Sequence, residues 1–406
     1  MWRLLGKRAG APERAGRAQS LRQRGRGGAW PALLLLLGLG GAAVADEVEE
    51  HRLNVVGEAR RYLVVTPQAR ADQPPGPRPV LIALHGAMQT PESFRAYAGF
   101  DAAAAANGFV VVYPQGEGKV WNDGRPAAMR LKLMLRPGDD EAFLIALARR
   151  LVAEGVADPA RLYLAGISNG GFMVQKMACE QAGLFAAYVA IMSTAPANYR
   201  EECRPARPVP ILFIHGTADP VIAYDGFWTP VGATLSAPDS AALYARLDGC
   251  AGQEQRTLPD RDLFDGTRVV ERRWPSCRDG AVVALMSVER GGHQSPARVD
   301  TQPDLATPFL GLRNRDIDAG EEIWRFVSAF SLPVEGRPAE TAPGVRPPAK
   351  PAAAAASARP GNGAPGGAPL PRPAPDRASA ASGGSQSGTA QDGAGPGSDS
   401  RGAVPR

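Results

Sequence analysis

Histidine and cysteine are scarce in this chain, which has only four of each among its 406 residues. The cysteines are spaced too widely to form a CxxC zinc knuckle, and four histidines supply few alternative ligands. The sequence therefore gives no indication of a metal site, and no motif in it points to a cofactor.

The excess of positive charge is confined to one end of the chain. The formal net charge is +5, but residues 1–28 contain eight Lys or Arg and a single Glu. Without this segment the chain has 38 basic and 40 acidic residues, a net charge of about −2. Nucleic-acid binding thereby loses its only support in the composition.

Residues 336–406 lack aromatic side chains altogether. Ala, Gly, Pro and Ser make up 51 of these 71 positions. Such a segment cannot bury enough apolar surface to offset the entropy of ordering its backbone, so we predict a disordered tail. The remaining residues, 46–335, are numerous enough for one catalytic α/β domain with a substantial core.

The first 45 residues have the pattern of a signal peptide. Their basic stretch is followed by the apolar run 32–45, which is short for a membrane span and ends in Ala43-Val44-Ala45. This pattern predicts cleavage before Asp46 and a periplasmic or secreted product with no membrane span. The alternative is an uncleaved anchor.

All four cysteines follow the predicted cleavage site. An even number of cysteines in an oxidising compartment favours disulfides. Three pairings are open, and we favour Cys179 with Cys203 and Cys250 with Cys277 because each pair brackets a single segment of about 25 residues.

Short apolar runs alternate with longer segments of helical periodicity, which is typical of a mostly parallel sheet with crossover helices. Strands are expected at 79–85, 109–113, 161–165, 187–193, 209–215 and 282–288. Helices are expected from Thr90-Pro91, over 139–154, from about residue 170, over 237–247 and over 319–330. The predicted fold class is therefore α/β.

The segment Gly166-Ile167-Ser168-Asn169-Gly170 is the clearest catalytic signal. It follows a predicted strand and precedes a predicted helix, which is the context of a nucleophile elbow. The tight turn requires small residues two positions before and two after the serine, and both positions are glycine. We therefore expect Ser168 to be a catalytic nucleophile; the alternative is an ordinary glycine-rich turn.

A serine nucleophile requires a histidine base that is oriented by a carboxylate. Only His215 and His293 follow Ser168, and no Asp lies between Ser168 and His215. With the hydrolase order Ser, Asp, His, the base is His293, and His215 is expected to be structural. Asp219 is the expected acid because it directly follows an apolar strand, and Asp225 is the alternative.

Acyl transfer also requires backbone N–H donors for the oxyanion. The residue after the nucleophile, Asn169, supplies the first donor. The loop His85-Gly86-Ala87-Met88 follows an early strand, and it is expected to supply the second through Ala87 or Met88.

With these residues in place, the chain resembles the exported polyhydroxybutyrate depolymerase and feruloyl esterase family of α/β-hydrolases over residues 53–331. The resemblance rests on motifs in the family's order: Leu84-His85-Gly86, Tyr97-Ala98-Gly99-Phe100-Asp101, Val112-Tyr113-Pro114, Trp121-Asn122-Asp123-Gly124-Arg125, Asp139-Asp140, Gly166-Ile167-Ser168-Asn169-Gly170-Gly171, Ala178-Cys179-Glu180, Phe185-Ala186-Ala187, His215-Gly216-Thr217-Ala218-Asp219-Pro220, Tyr224-Asp225-Gly226, Gly291-Gly292-His293 and Ile323-Trp324. It implies an α/β-hydrolase fold with helices on both faces of the sheet, and it assigns Ser168, Asp219 and His293 as the triad.

Polar and aromatic residues in loops after strands are candidates for contact with substrate. They are Trp121, Asn122, Tyr224, Phe227 and Trp228. The alternative is that the aromatic members cap the core.

The sequence thus predicts an exported serine esterase that needs no cofactor. Its expected partners are small or oligomeric esters, such as hydroxyalkanoate oligomers or feruloyl and acetyl esters. Two alternatives stay open: a serine exopeptidase, and a catalytically silent binding protein on a hydrolase scaffold. The oligomeric state is not predicted.

Overall fold

The computed structural model describes residues 46–70, 72–125, 138–229, 232–299 and 307–333. The predicted leader, 1–45, and the predicted tail, 336–406, lie outside the described residues. Among the described residues, no helix has both the length and the apolar character needed to cross a bilayer.

A ten-stranded sheet forms the centre of the domain. Its strands are β1 (Glu47–Val55), β2 (Glu58–Thr66), β3 (Arg78–Leu84), β4 (Val110–Pro114), β5 (Ala157–Ile167), β6 (Ala187–Ile191), β7 (Ile211–Gly216), β10 (Glu254–Thr257), β11 (Arg268–Trp274) and β12 (Val283–Glu289). Two short strands, β8 (Trp228–Thr229) and β9 (Gly232–Ala233), form a separate hairpin.

The sheet is parallel in its middle and antiparallel at both edges. Its strand order is β1-β2-β4-β3-β5-β6-β7-β12-β11-β10. The six central strands, from β4 to β12 in this order, are mutually parallel. Because the carboxyl ends of parallel strands share one edge, the loops after β3, β5, β7 and β12 lie along the same edge of the sheet.

Eight helices flank the sheet in the described residues. They are α1 (Pro91–Ala98), α2 (Phe100–Asn107), α3 (Asp140–Ala153), α4 (Asn169–Glu180), α5 (Tyr199–Glu202), α6 (Ala237–Leu247), α7 (Thr307–Leu310) and α8 (Ala319–Val327). Side chains cap four of them at their N-termini: Thr90, Asp139, Ser236 and Asp318 each accept a first-turn backbone N–H.

Both faces of the sheet are covered, as the alternation along β3 illustrates. Val80, Ile82 and Leu84 belong to the core beneath α3, α4 and α6. Leu81 and Ala83 point the other way, into the core beneath α1, α2 and α8. The α/β-hydrolase architecture with helices on both faces is therefore confirmed.

The observed elements differ from the predicted ones mainly in their bounds. The strand before Ser168 begins at Ala157 rather than at residue 161, and the closing helix ends at Val327 rather than at residue 330. The edge strands β1, β2, β10 and β11 were not predicted. β1 and β10 are mostly charged or polar and largely exposed, so they lack the apolar runs that identify the central strands. β2 does contain a buried apolar run at 62–65, which was not assigned to a strand from the sequence.

Candidate active site

Ser168 lies in a sharp turn between β5 and α4. Its φ angle of 55° is in the left-handed region, which a non-glycine residue adopts only when its surroundings enforce it. The Ser168 N–H donates to the carbonyl of Ile191 on the neighbouring strand. A Cβ on Gly166 would lie 2.4 Å from the Gly170 oxygen, and one on Gly170 would lie 2.5 Å from the Leu84 oxygen. The turn therefore has the geometry of a nucleophile elbow, and its two glycines are sterically required.

Asp219 and His293 are hydrogen-bonded to each other. Nδ1 of His293 lies 2.7 Å from Oδ2 of Asp219, whose side chain is completely buried. The other carboxylate oxygen, Oδ1, accepts the N–H groups of Val221 and Ile222, each at 2.8 Å. Because the carboxylate accepts at Nδ1, the proton of the neutral imidazole resides there and Nε2 is available to act as a base.

His215 lies beside the same carboxylate but within the core. Its Nε2 donates to the carbonyl of Ile222 at 2.8 Å and lies 3.5 Å from Oδ2 of Asp219. The ring is 1% exposed, and burial lowers its pKa. His215 thus secures the turn that follows Asp219, which fits the structural role expected from the sequence.

The two expected oxyanion residues in the loop after β3 are not equivalent. The Met88 N–H donates to the carbonyl of Lys119 at 2.8 Å, so it is not free for a substrate. The Ala87 N–H has no partner among the described residues. Of the two residues, Ala87 therefore remains the candidate for the second oxyanion donor. Asn169 begins α4, where the N–H groups of the first turn lack intrahelical partners.

The side chain of Asn169 is directed away from the site. Its Oδ1 accepts the Trp121 N–H at 2.6 Å, and its Nδ2 donates to Oδ2 of Asp123 at 2.7 Å. Asp123 also holds the guanidinium of Arg125, which lies over the ring of Phe172. This network was not predicted, because its partners lie more than 40 residues apart and no local pattern joins them.

Trp121 does not line a cleft, contrary to the expectation from the sequence. Its side chain is 0% exposed, and its Nε1 donates to the carbonyl of His85 at 2.9 Å. The ring packs against the imidazole of His85, with centroids 5.0 Å apart. The indole has a buried acceptor for its N–H, which allows the whole residue to enter the core.

The other candidates for substrate contact have varied positions. The Asn122 N–H donates to the buried carboxylate of Asp140, and the residue is half-buried. The Tyr224 hydroxyl lies 2.6 Å from Oγ of Ser287, and its ring packs edge-on against His215. Phe227 is half-buried, and the side chain of Trp228 lies outside the described residues. Contact of Asn122, Tyr224 and Trp228 with substrate stays a prediction.

Two disulfides join the cysteine pairs that the spacing favoured. Cys179 is bonded to Cys203, and Cys250 is bonded to Cys277. The first bond links the end of α4, the helix that begins at the elbow, to the segment that leads into β7. It therefore ties the helix that follows Ser168 to the chain between β6 and β7.

The chain is similar to known esterases and, over part of its length, to the prolyl oligopeptidase family. The profile of the prolyl oligopeptidase family matches residues 98–196. The chain is 28% identical to NocK of Nocardia uniformis subsp. tsuyamanensis, a protein assigned as an esterase, over 62% of this chain and 76% of that protein. It is 27% identical to feruloyl esterase B of Piromyces equi, over 63% of this chain and 42% of that one. A poly(3-hydroxyalkanoate) depolymerase C from Paucimonas lemoignei is 32% identical over 28% of this chain and 27% of its own length.

The chain resembles the polyhydroxybutyrate depolymerase and feruloyl esterase family of α/β-hydrolases. The resemblance found in the sequence motifs is thereby confirmed, and the chain is related to enzymes that hydrolyse carboxylic esters. It spans most of NocK but less than half of the Piromyces feruloyl esterase.

Proposed function

We propose that the chain is an exported serine esterase that uses Ser168, His293 and Asp219. The observation that carries the proposal is the 2.7 Å hydrogen bond between His293 and a buried Asp219, at the sheet edge where the strained Ser168 turn also lies. The resemblance to feruloyl esterase and polyhydroxyalkanoate depolymerase supports ester hydrolysis as its activity.

The reaction proceeds in two halves. Oγ of Ser168 attacks the ester carbonyl carbon while Nε2 of His293 takes the hydroxyl proton, and Asp219 stabilises the resulting imidazolium. The tetrahedral intermediate collapses to an acyl-enzyme, and His293 returns the proton to the departing alcohol. Water, deprotonated by His293, then attacks the acyl-enzyme, and His293 returns this proton to Oγ of Ser168 as the carboxylic acid is released.

The oxyanion of each tetrahedral intermediate is stabilised by backbone N–H groups. We assign these donors to Asn169, at the start of α4, and Ala87, in the loop after β3. A Cβ on Gly86 would lie 3.6 Å from the Cβ of Ser168, so the Ala87 loop passes directly beside the nucleophile. Each such donor lowers the barrier by about 3 kcal/mol.

The substrates that we propose are hydroxyalkanoate oligomers and feruloyl or acetyl esters. Hydrolysis of p-nitrophenyl esters of graded acyl length, of methyl ferulate and of hydroxybutyrate oligomers tests this by comparing the full chain with its Ser168→Ala variant. We expect the variant to lose several orders of magnitude in kcat. Equal inactivity of the two folded proteins would instead favour the silent binding protein.

A peptidase activity is the second candidate, because the prolyl oligopeptidase profile matches the segment that contains Ser168. An ester and an anilide with the same acyl group distinguish the two activities. We expect turnover of the ester alone, and comparable turnover of the anilide would favour the peptidase.

Export is proposed from the basic and apolar segments before Asp46 and is compatible with the two disulfides. N-terminal sequencing of the protein recovered outside the inner membrane tests it. We expect Asp46 as the first residue, whereas an intact N-terminus would favour the uncleaved anchor.

A further inference from the structure

Trp121 is hydrogen-bonded to both segments that carry the proposed oxyanion donors. The backbone N–H of Trp121 donates to Oδ1 of Asn169, and the Asn169 Nδ2 donates back to the Trp121 carbonyl at 3.1 Å. At the other end of the residue, the indole N–H donates to the carbonyl of His85. Trp121 therefore contacts Asn169, which supplies one donor. It also contacts the carbonyl of His85, two residues before Ala87, which supplies the other.

The direction of the Ala87 N–H is fixed by the imidazole of His85. Nε2 of His85 accepts the Gly116 N–H at 3.0 Å, so the ring proton resides on Nδ1, which donates to the Gly86 carbonyl at 2.7 Å. Burial lowers the pKa of His85 to about 4, which keeps the ring neutral and Nε2 free to accept. Because a trans peptide unit is planar, holding the Gly86 carbonyl also sets the opposite direction of the Ala87 N–H.

The peptide unit between His85 and Gly86 is held at both ends. Its carbonyl, from His85, accepts the Trp121 indole, and its N–H, from Gly86, donates to the side chain of Gln89 at 2.9 Å. A Cβ on Gly170 would lie 2.6 Å from the same His85 oxygen. The loop after β3 is thus in contact both with the elbow and with the buried indole.

We infer that Trp121 is a positioning residue that sets the separation between the Ala87 and Asn169 N–H groups. This inference rests on the proposed function, since it gives Trp121 a role only if these groups bind an oxyanion. Trp121 touches no reacting atom; it acts through Asn169 on one side and through His85 on the other.

The variant Trp121→Phe tests the inference, because it removes the indole donor and keeps an aromatic ring and both backbone hydrogen bonds. We expect kcat for p-nitrophenyl butyrate to fall by roughly 10- to 100-fold, as a misplaced catalytic group does, with KM changed less than about twofold. A boronic acid that forms a tetrahedral adduct with Ser168 should bind more weakly by the same factor as the loss in kcat/KM. A purely structural role of the indole would not produce this parallel.

Trp324→Phe is the matched control. Trp324 stacks on Phe109, with ring centroids 4.5 Å apart, on α8 and away from the elbow. The Trp324→Phe variant should change thermal stability without changing kcat. If the folded Trp121→Phe enzyme retains the kcat and the boronic acid affinity of the wild type, the inference is wrong.

A second variant tests the role of Trp121 if Trp121→Phe fails to fold. Asn169→Ala removes the side-chain link to Trp121 and keeps the Asn169 backbone N–H, so it should give the same loss of kcat and of boronic acid affinity. Unchanged kcat in this variant would overturn the inference. The Ser168→Ala variant separates the two proposals. If this variant is fully active, the proposed function is wrong. If it is inactive while Trp121→Phe and Asn169→Ala are fully active, only the inference about Trp121 is wrong.

Discussion

Gly216 lies against the backbone of Gly291 so closely that a Cβ on Gly216 would come within 2.3 Å of the Gly291 carbonyl oxygen. The same oxygen accepts the Ala218 N–H at 2.9 Å. Gly216 ends β7, three residues before Asp219, and Gly291 lies two residues before His293. The hydrogen bond between the acid and the base therefore depends on the direct packing of two backbones.

Gly216→Ala should consequently weaken catalysis and stability together. The methyl group has to displace the Gly291 backbone, which moves His293 relative to Asp219. We expect kcat to fall at least about tenfold and the free energy of unfolding to fall by about 1–3 kcal/mol, the usual cost of overpacking. Ester hydrolysis and urea denaturation measure the two effects.

Gly183→Ala is the control, because a Cβ at Gly183 would have no atom within 4 Å. This variant should match the wild type in both measurements. Full activity of the Gly216 variant would show that the two loops can separate without disturbing the acid and the base.

Asp219→Asn should abolish most of the activity while leaving the protein folded. An asparagine can present an N–H to Nδ1 of His293 and thus stabilise the tautomer that cannot accept the Ser168 proton. We expect kcat to fall by about 10⁴-fold with little change in KM, measured with a p-nitrophenyl ester.

The alternative acid, Asp225, is exposed and provides the matched variant. Asp225→Asn should retain wild-type kcat. The opposite result, an inactive Asp225 variant and an active Asp219 variant, would reassign the acid despite the observed hydrogen bond.

Sequence reasoning succeeded where a local pattern coincides with the fold. The run before Ser168 and the two glycines around it specify a strand, a tight turn and a helix, and the structure has these elements at those positions. The order of the histidines along the chain selects His293 as the proposed base, and in the structure His293 is hydrogen-bonded to Asp219.

It failed where a role depends on a partner that is distant in sequence. Trp121 follows a strand, as a cleft residue would, but its indole N–H finds an acceptor 36 residues earlier and the ring enters the core. Met88 was an equal candidate to Ala87 until the structure placed Lys119 against its N–H. Neither partner leaves a periodic or compositional signal near the residue concerned.

The buried ion pair between Arg60 and Asp140 should be important for folding. Nη2 of Arg60 lies 2.5 Å from Oδ1 of Asp140, and their side chains are 3% and 0% exposed. Asp140→Ala would leave the buried guanidinium only the more distant carboxylate of Glu117, whose Oε2 lies 3.9 Å from Nε of Arg60. Removal of one partner of a buried pair typically costs 3–5 kcal/mol. We expect a loss of about this size in urea denaturation.

Replacement of both partners separates charge burial from packing. In the double variant Arg60→Met, Asp140→Leu no buried charge is left unpaired, because the remaining carboxylate of Glu117 is 38% exposed, so much of the lost stability should return. If Asp140→Ala alone costs less than about 1 kcal/mol, Glu117 or water must compensate the charge of Arg60, and the pair is not important for folding.

Because of Asp248, the free energy of unfolding should fall as the pH rises from acidic to neutral. Its side chain is fully buried at the end of α6, where Oδ1 accepts the Val209 N–H and Oδ2 has no partner among the described residues. Burial raises the pKa of this carboxyl from 3.8 to about 7, outweighing the Val209 hydrogen bond that lowers it. The folded protein therefore holds a proton that the unfolded chain releases over this range, so unfolding becomes easier as the pH rises from about 4 to 7.

Asp248→Asn removes this dependence, because the amide stays neutral and its oxygen can still accept the Val209 N–H. The stability of the variant relative to the wild type should rise by about 1.4 kcal/mol per pH unit between pH 4 and 7, to a total of about 4 kcal/mol, and should be constant above pH 7. Urea denaturation at half-unit intervals of pH measures the difference, with the exposed Asp225→Asn as the control that should follow the wild type. Parallel curves for the wild type and Asp248→Asn would mean that the buried carboxyl ionises freely in the folded protein, which requires water at Oδ2.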